Sequence, residues 1–594
     1  MKNLESLNVD DVEEWKSFIP EGQRDGNARN FTFKINSLSI GDKTNIILPA
    51  PGVTAIVGGN NVGKSTLMRQ VHQTANSRSL SNIANPQILR EISSPWGGST
   101  ADMMAWLQEN ASLEESGGYG YFRRGQLREP INYLGSRRDE LPTPEGYADF
   151  FITFSTAFDR LDITKHTQAP QELTDPATHP MHVFASDENV SDELVRAVRE
   201  IFGVEMTIDT IVASQGFRIG SPGISAPPVD RGNPQYNQAV AKLPKLSDQG
   251  DGLRSAAGLL MPMIAQATPV ILVDEPEAFL HPPQARTFGR IISRIATEKD
   301  IQLILATHDR NLLMGLLDHD SSDVTVLNLT RQENESFVQP LSNADIRMLL
   351  SNPVLRFGNA VDGLFSKAVI LTESESDSTF YAAAVDAHQE EKEDGRSLDL
   401  HFVSVSGKHR MKKAASMLRS MGVEVRAIAD LDILNDKKTL QELVSSLGGN
   451  WQSIESLYDQ ATKEFMYSNM AIELVDVKND ILEIINKSNE TILTKSVAGE
   501  IRSKLKASNP WTKLKADGMG AFLANPDVAR EMASYLDQSG LITVQVGELE
   551  GFFRKQDIPK GDRWVGVALE EGAHKSVDAQ NLIQRLLKSL KLGA

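Results

Sequence analysis

The chain has 594 residues, of which 40% are hydrophobic and 24% are charged, a composition typical of a soluble globular protein with several domains. Acidic residues outnumber basic ones by 79 to 61, so the formal net charge is −18, which excludes a protein that coats nucleic acid or membrane with its whole surface. The sequence contains no cysteine, which excludes disulfides, thiolate zinc sites, iron–sulfur clusters and a cysteine nucleophile.

The sequence predicts no membrane segment. Residues 1–18 are interrupted by charges, unlike a secretory signal. Residues 255–273 carry no charge, but two prolines and a turn near Gln266–Pro269 indicate a helix followed by a short strand rather than a membrane span. We therefore expect a cytoplasmic protein without a membrane partner.

The first half of the chain has the pattern of an α/β nucleotide-binding domain. Alternating apolar residues predict two strands within Phe31–Leu48 and a third at Val53–Val57. Residues 75–245 are less regular, apart from a helix near Ser191–Phe202, and we interpret them as an insertion. From 246 to 308 the pattern is loop, helix, strand, helix and strand.

A phosphate-binding pattern follows the third strand. Residues 58–65 read GGNNVGKS and fit GxxxxGK[ST] directly before a helix. Glycines let backbone N–H groups turn toward phosphate oxygens, Lys64 reaches the β- and γ-phosphates, and the Ser65 hydroxyl ligates Mg²⁺. The residues expected to contact ATP here are Gly58, Asn60, Asn61, Gly63, Lys64, Ser65 and Thr66.

Later residues indicate which class of ATPase this is. The predicted strand at 270–273 ends in Asp274, expected to hold Mg²⁺, and Glu275, expected to orient the attacking water. His308 ends a further strand and is expected to sense the γ-phosphate. The acid pair alone would be better explained as a solvated strand end, and the histidine alone as a satisfied buried residue. All of these residues together, in this order, favour the functional interpretation. The loop LSDQGDG precedes a helix. Its residues Ser247, Gly250 and Gly252 are expected to contact a phosphate of the nucleotide.

This order of motifs resembles an ABC-type ATPase. The serine loop, Ser247–Gly252, is similar to the S-x-x-G-x-G variant of overcoming-lysogenization-defect (OLD) and RecF-like ATPases. The resemblance implies that the serine loop of one subunit closes on the nucleotide of another, and therefore a homodimer or a larger even assembly. About 180 residues separate the two loops, too few for the long coiled coil of an SMC protein. Arg137 and Arg138 could reach nucleotide or form surface salt bridges.

The second half of the chain predicts another parallel sheet. Residues 361–435 repeat a strand–helix rhythm, which indicates parallel strands with helical covers. Residues 436–538 are mostly helical in pattern. A strand at Ile542–Val546 and an amphipathic helix at Ser576–Leu590 follow.

Four carboxylates follow strands of this second sheet. Glu373 comes directly after Ala368–Thr372, with Asp377 four residues later, and Asp430 and Asp432 end another strand. The carboxyl ends of parallel strands share one edge, so these acids can converge. Oxygen ligands suit Mg²⁺ or Mn²⁺, which can promote displacement at a phosphodiester. The alternative for the aspartate pair alone is a solvated strand end.

These acids resemble the pattern of a TOPRIM domain, with Ser374 in place of the usual glycine. Ser406-Gly407-Lys408, after the strand at His401–Val405, also fits that domain. An ABC-type ATPase followed by a TOPRIM domain is the architecture of OLD-family nucleases, including the Gabija defence nuclease and retron-associated effectors. The resemblance implies a further acid, for which we choose Glu550 over Glu548, and a lysine that steadies phosphate charge, for which we choose Lys575.

We therefore expect an α/β protein in two parts. Residues 1–350 would form an ABC-type P-loop ATPase domain with an insertion and dimerisation region at about 75–245. Residues 361–594 would form a TOPRIM nuclease domain with a helical insertion at about 436–538. The expected metal ligands are Ser65 and Asp274 in the first domain, and Glu373, Asp377, Asp430, Asp432 and Glu550 in the second.

The expected function is ATP-regulated, metal-dependent cleavage of DNA in antiviral defence. A helicase, or a retron reverse transcriptase with its RNA–DNA, is a candidate partner. The alternatives are a RecF-like repair ATPase and an assembly scaffold, each with a TOPRIM domain that does not cut. Two basic clusters are candidates for DNA contact, although the second is nearly as well explained as a solvated helix face: Lys408, His409, Arg410, Lys412 and Lys413, and then Lys504, Lys506, Lys513 and Lys515 around Trp511.

Overall fold

The computed structural model of the chain forms two compact units, Met1–Met348 and Leu349–Ala594, each with its own hydrophobic core. In the part of the chain that the structure describes, no helix has both the length and the apolar character needed to cross a membrane. The described residues are 17–76, 87–124, 127–140, 146, 148–170, 177–227, 232–266, 268–318, 323–332, 335–341, 346, 360–391, 398–405, 407–467, 474–488, 492–505, 511–554 and 558–592.

The core of the first unit is a six-stranded sheet. Five neighbouring strands run parallel, and the sixth is antiparallel and closes one edge. The central strands are buried over their whole length, as expected of parallel strands covered on both faces. In spatial order the strands are Ile152–Ser155, Val270–Asp274, Gln302–Ala306, Gly52–Val57, Val324–Gln332 and Glu335–Leu341.

Residues 75–245 contain more regular structure than the sequence predicts. Ile152–Ser155 is an edge strand of the core sheet, paired in parallel with Val270–Asp274, so this stretch is not only an insertion. The strand is four residues long, and apolar runs of that length do not by themselves distinguish a strand from a helix. The predicted helix near Ser191–Phe202 is confirmed as Glu188–Phe202, which the Asp187 side chain caps at its start.

Smaller antiparallel sheets and ten helices complete the described part of the first unit. The additional strands are Thr32–Phe33 with Trp96–Gly97; Lys43–Ile47, Ser37–Ile40 and Leu89–Ser93; Ser112–Ser116, Tyr119–Arg124 and Leu127–Pro130; and Thr167–Gln168, Ser214–Ile219 and Met206–Asp209. The helices are Lys64–Asn76, Thr100–Asn110, Ile131–Glu140, Ala157–Asp162, Pro180–Ser186, Glu188–Phe202, Pro234–Ala241, Asp251–Ile264, Pro282–Glu298 and Arg310–Leu317.

The second unit is built on four parallel strands, in the spatial order Leu400–Ser404, Ala368–Thr372, Val425–Asp430 and Leu541–Val544. After Ala368–Thr372 the chain continues to one edge strand, and after Val425–Asp430 it continues to the opposite edge. The crevice between the carboxyl ends of these two central strands is therefore a topological switch point, where open α/β sheets bind their ligands. The α/β fold class predicted for the chain is confirmed.

Helices cover this sheet and contain most of the described residues between 436 and 538. The first of them, Glu375–Glu391, turns Phe380, Tyr381 and Ala384 toward a core that includes Ile370 of the central strand. The predicted helical character of 436–538 is confirmed in the part of that range that the structure describes. The helices are Glu375–Glu391, Lys408–Ser420, Lys437–Ser446, Gln452–Tyr467, Leu474–Lys487, Lys495–Leu505, Thr512–Asp517, Pro526–Gln538, Asp562–Glu570 and Val577–Ser589.

Candidate functional site

The phosphate-binding loop has the backbone that its glycines allow. Gly58 and Gly63 have φ angles of 147° and 104°, and a Cβ atom at Gly58 would lie 2.2 Å from the carbonyl oxygen of Leu329. The Lys64 ammonium donates hydrogen bonds to the carbonyl oxygens of Gly58 (2.9 Å) and Gly59 (2.8 Å). The positive charge is therefore held over the loop, where phosphate oxygens would bind. The other predicted loop residues are the exposed Asn60 and Asn61, and Thr66 in the first helical turn.

Asp274 lies beside the start of the loop's helix. Its carboxylate accepts a hydrogen bond from the Ser65 hydroxyl, and burial raises its pKa. Its Oδ1 atom is buried and has no hydrogen-bond partner among the described residues. A hydroxyl and a carboxylate with one free buried oxygen fit a Mg²⁺ ion, which prefers oxygen ligands.

His308 lies between two glutamates. Its Nδ1 atom is 3.3 Å from Glu275 Oε1 and 3.5 Å from Glu277 Oε1. Glu277 is buried and accepts hydrogen bonds from the Thr307 hydroxyl (2.7 Å) and the His308 backbone N–H (3.2 Å). Sequence reasoning missed Glu277, although the pattern D-E-P-E placed it two residues after Glu275. The structure therefore brings Glu275 and His308 together and adds a buried carboxylate.

A buried arginine also reaches this region. Arg160, on the helix Ala157–Asp162, donates hydrogen bonds to the backbone carbonyl oxygens of Asp274 (3.0 Å) and Glu275 (2.8 Å). Arg160 lies 114 residues before Asp274 in the sequence, and no motif marks it. The contact was therefore not visible in the sequence.

The serine loop forms a short 3₁₀ turn, Leu246–Asp248, before the helix Asp251–Ile264. The Ser247 hydroxyl donates to the neighbouring Asp248 carboxylate over 3.2 Å. Gly250 is exposed, and a Cβ atom at Gly252 would lie 2.6 Å from the Phe279 carbonyl oxygen. The loop is thus a surface feature supported by the turn that follows Glu275.

In the second unit, the predicted acids meet at the switch point of the sheet. One carboxylate oxygen each of Glu373, Asp430 and Asp432 lies within 4.8 Å of the other two. The Asp430 backbone N–H also donates to Glu373 Oε1 over 3.4 Å. The sheet therefore places three oxygen ligands where one divalent metal could contact all of them.

Asp377 begins the adjacent helix and is tied to Ser374. The Ser374 backbone N–H and hydroxyl donate to Asp377 Oδ2 at 2.8 and 2.9 Å, and the Asp377 N–H donates back to the Ser374 hydroxyl at 3.2 Å. This is a reciprocal helix cap. Serine in place of the usual glycine therefore supplies a cap that orients Asp377. Burial raises the pKa of Asp377, and the charge of Glu550 adds to the rise.

The electrostatics of these carboxylates are strongly unfavourable without a cation. Burial raises the pKa of Asp430 to about 8, and the charges of Glu373, Asp377 and Asp432 contribute to the rise, whereas Lys515 opposes it. Beneath them, the fully buried Tyr381 has its pKa raised by burial and by the carboxylates of Asp377, Asp430, Glu373 and Glu550. Five predicted acids thus share one small region.

Lys515 and Lys560 contact the acids, whereas the predicted Lys575 does not. Lys515 lies 3.1 Å from Asp432 and 3.8 Å from Glu548, and Lys560 lies 2.7 Å from Glu548 and 3.2 Å from Glu550. Both late glutamates, Glu548 as well as Glu550, therefore reach the site.

Lys575 instead pairs with Glu390 over 3.4 Å. Glu390 is near the far end of the helix Glu375–Glu391, thirteen residues after Asp377, which at 1.5 Å per residue is roughly 20 Å away. The choice of Lys575 as the lysine beside the metal site does not match this geometry, because the lysine lies on a turn at the opposite end of that helix.

The basic clusters are only partly described. His409, Arg410 and Lys413 are exposed on the helix Lys408–Ser420, and Lys412 pairs with Glu442. In the second cluster Lys513 is exposed, and Trp511 packs against Phe465 with ring centroids 5.2 Å apart. Of the candidate residues, two lie outside the described part of the chain, namely Ser406 and Lys506. The same holds for the side chains of Arg137, Arg138, Lys408 and Lys504.

Comparison with protein families agrees with both halves of this arrangement. Residues 154–315 match a family model described as "AAA domain, putative AbiEii toxin, Type IV TA system". Residues 364–432 match the TOPRIM domain of overcoming lysogenization defect protein-like sequences. The predicted resemblance, an ATPase followed by an OLD-like TOPRIM domain, is confirmed. The two matches imply use of a nucleotide and of a divalent metal.

Two curated relatives are similar over part of their length. The OLD nuclease of Thermus scotoductus is 24% identical over 210 residues, which are 34% of this chain and 38% of that protein. The Old nuclease of Escherichia phage P2 is 25% identical over 176 residues, which are 28% of each chain. The chain thus matches less than two-fifths of the length of either relative. Among solved structures, the SMC head domain from Thermotoga maritima is 15% identical, with a TM-score of 0.28 over 52% of this chain and 98% of that one.

Proposed function

We propose that this chain is an ATP-regulated, metal-dependent DNA endonuclease, in which an ATPase domain over residues 1–350 controls cutting by a TOPRIM domain over 361–594. The observation that carries the proposal is the convergence of Glu373, Asp430 and Asp432, with one oxygen each within 4.8 Å of the others. Carboxylates held this close destabilise the protein unless protons or a cation neutralise them, which is typical of functional sites. The match of residues 364–432 to an OLD-like TOPRIM domain supports the same conclusion.

The donors at this site fit a divalent metal. Glu373, Asp430 and Asp432 would hold one ion, and Asp377 with Glu550 would add ligands beside it; carboxylate oxygens are the ligands that Mg²⁺ and Mn²⁺ prefer. When bound, such an ion stabilises charge on a phosphodiester and activates water. The chain's own contribution is to orient the acids, through the Ser374 cap and the strand ends.

We assign the role of steadying phosphate charge to Lys560. Its side chain is 65% exposed, so it can move from Glu548 and Glu550 to an incoming phosphate. Lys515 is paired with Asp432 and would restrain that carboxylate. His409, Arg410 and Lys413 lie on the helix after Gly407, whose N–H donates to the Glu373 carbonyl oxygen, and are candidates for contact with the DNA backbone.

The first unit has the parts of an ATP site. Lys64 would contact the β- and γ-phosphates, Ser65 and Asp274 would hold Mg²⁺, and Glu275 would orient the attacking water with His308 beside it. Ser247, Gly250 and Gly252 would serve the nucleotide of a second copy, so the functional assembly would be a homodimer or a larger even oligomer.

The resemblance to OLD-type nucleases supports a role in antiviral defence in the cytoplasm. A helicase or a retron reverse transcriptase with its RNA–DNA is a candidate partner. The defence role and the partner both depend on the nuclease activity, so the test of DNA cutting comes first.

The decisive experiment is incubation of supercoiled plasmid with Mg²⁺ or Mn²⁺, with and without ATP. We expect the wild-type chain to cut and the Asp430→Ala/Asp432→Ala variant to leave the plasmid intact while still binding ATP. Equal cutting by both proteins would remove the TOPRIM acids from the reaction. ATP binding without cutting by wild type under all conditions would favour the RecF-like repair ATPase.

A further inference from the structure

Arg160 is a fully buried arginine whose hydrogen bonds all lie within the ATPase unit. Its side chain is completely enclosed, on the short helix Ala157–Asp162. The helix Asp251–Ile264 packs closely enough that a Cβ atom at Gly258 would lie 2.0 Å from the Arg160 carbonyl oxygen. Glycine at 258 therefore permits this approach of the two helices.

The guanidinium group binds three separate elements. Nε donates to the Ser255 hydroxyl over 3.0 Å, on the helix that the serine loop opens. Nη1 donates to the carbonyl oxygens of Ser155 (3.3 Å) and Asp274 (3.0 Å), and Nη2 donates to that of Glu275 (2.8 Å). A planar guanidinium holds such partners in fixed relative positions, because its donors have a rigid fork geometry.

The carbonyl contacts fall where the backbone is unusual. Glu275 has a φ angle of 47°, in the left-handed region that non-glycine residues rarely adopt. The direction of the Glu275 carboxylate depends on that backbone conformation. The hydrogen bond from Arg160 Nη2 to the Glu275 carbonyl oxygen stabilises it. The charges of Glu277, Asp274, Asp159 and Glu275 all act on the guanidinium, so Arg160 is a buried cation close to these acids.

We infer that Arg160 is a positioning residue for ATP hydrolysis, which fixes the backbone of Asp274 and Glu275 and links it to the helix of the serine loop through Ser255. The inference rests on the ATPase activity proposed above. In a head-to-tail dimer the serine loop serves the partner's nucleotide, whereas Glu275 serves the subunit's own. Arg160 thus joins the two nucleotide sites to which one subunit contributes.

The test compares Arg160→Gln, Ser255→Ala and the double variant in the full-length chain. We expect both single variants to bind ATP with nearly wild-type affinity, measured by calorimetry, because both side chains are fully buried. We expect kcat for ATP hydrolysis to fall roughly ten- to hundred-fold in Arg160→Gln, since a displacement of about 1 Å can cost that much. Ser255→Ala should fall less, and the double variant should match Arg160→Gln, because Ser255 acts through Arg160.

The matched control is Arg124→Gln. Arg124 is partly buried in the ATPase unit and, like Arg160, donates to a backbone carbonyl, that of Phe150, over 2.8 Å, but it contacts neither Asp274 nor Glu275. We expect this variant to lose thermal stability and to keep the wild-type kcat. A purely structural role for Arg160 would lower stability in both variants without separating their kcat values.

The outcomes are distinguishable. A folded Arg160→Gln protein with wild-type kcat would overturn the inference and leave the ATPase proposal intact. If Arg160→Gln does not fold, Ser255→Ala decides: a lowered kcat with normal ATP affinity supports the inference, and an unchanged kcat overturns it. Wild-type protein that binds ATP without hydrolysing it would overturn the ATPase proposal and this inference with it.

Discussion

Replacing Asp430 with asparagine should make the protein more stable at neutral pH when no metal is present. In the folded chain burial and three neighbouring carboxylates raise the pKa of Asp430 from 3.8 to about 8. Between these two values the folded state keeps a proton that the unfolded state releases. The contribution of this proton to the free energy of unfolding is therefore fully present below pH 3.8 and is lost progressively as the pH rises toward 8.

The size of the effect follows from the pKa difference. Each pH unit within this window costs about 1.36 kcal/mol, so from pH 6 to pH 8, allowing for partial titration near pH 8, the wild-type chain should lose about 2 kcal/mol through Asp430. For a unit of about 250 residues this corresponds to roughly 4 to 8 °C in Tm. Asparagine has nearly the same shape and no charge, so the variant should not show this loss.

The assay is thermal unfolding in EDTA at pH 6, 7 and 8, for wild type, Asp430→Asn and the surface control Asp578→Asn. We expect the Tm difference between Asp430→Asn and wild type to grow with pH, and the control to follow wild type. Adding Mn²⁺ should raise the wild-type Tm most at pH 8, because a bound metal requires the deprotonated carboxylate. If wild type and Asp430→Asn lose the same stability between pH 6 and pH 8, the electrostatic argument for the site is refuted.

Three further predictions address the two sites separately. Lys64→Ala should weaken ATP binding roughly ten-fold or more by calorimetry, since a charged contact to phosphate is lost; unchanged affinity would contradict the phosphate-loop interpretation. Lys560→Ala should slow plasmid cutting by roughly a hundred-fold while Lys575→Ala leaves it unchanged, and the reverse ranking would restore the original choice of lysine. Glu275→Gln should retain ATP and be at least a dimer by light scattering with ATP and Mg²⁺, whereas a single-chain mass at micromolar protein would exclude the composite nucleotide site.

The parts of the geometry around these residues that the sequence predicted are those set by the local backbone. Gly58 to Ser65 must form a phosphate loop once a strand precedes it and a helix follows it, because the spacing of the glycines determines the turn. Glu373 and Asp430 are close because Glu373 directly follows one strand and Asp430 ends the adjacent parallel strand, so strand pairing fixes their separation. Such positions need only the order of strands and helices, which the apolar pattern indicated.

The parts that were missed depend on contacts between distant segments. Arg160 reaches Asp274 across 114 residues, from a helix next to an edge strand that the sequence pattern did not reveal. Lys515 and Lys560 reach the acids from a short helix and a loop. A lysine ammonium stands at the end of a flexible four-carbon stem. The position of a lysine in the sequence therefore says little about where its charge lies, whereas the carboxylate of an aspartate at a strand end stays close to the backbone.

The charge balance of the second site explains why both lysines are there. Glu373, Asp377, Asp430, Asp432, Glu548 and Glu550 meet at one edge of the sheet, where Lys515 and Lys560 form ion pairs with Asp432, Glu548 and Glu550. Burial and the charges of Glu373, Asp377 and Asp432 nevertheless raise the pKa of Asp430 to about 8, so at neutral pH the metal-free folded chain retains a proton on Asp430. A divalent ion would supply two charges where three oxygens already converge, and the same repulsion that destabilises the metal-free chain would then favour metal binding. The pH dependence of stability and the affinity for metal are therefore two measures of a single property of this edge.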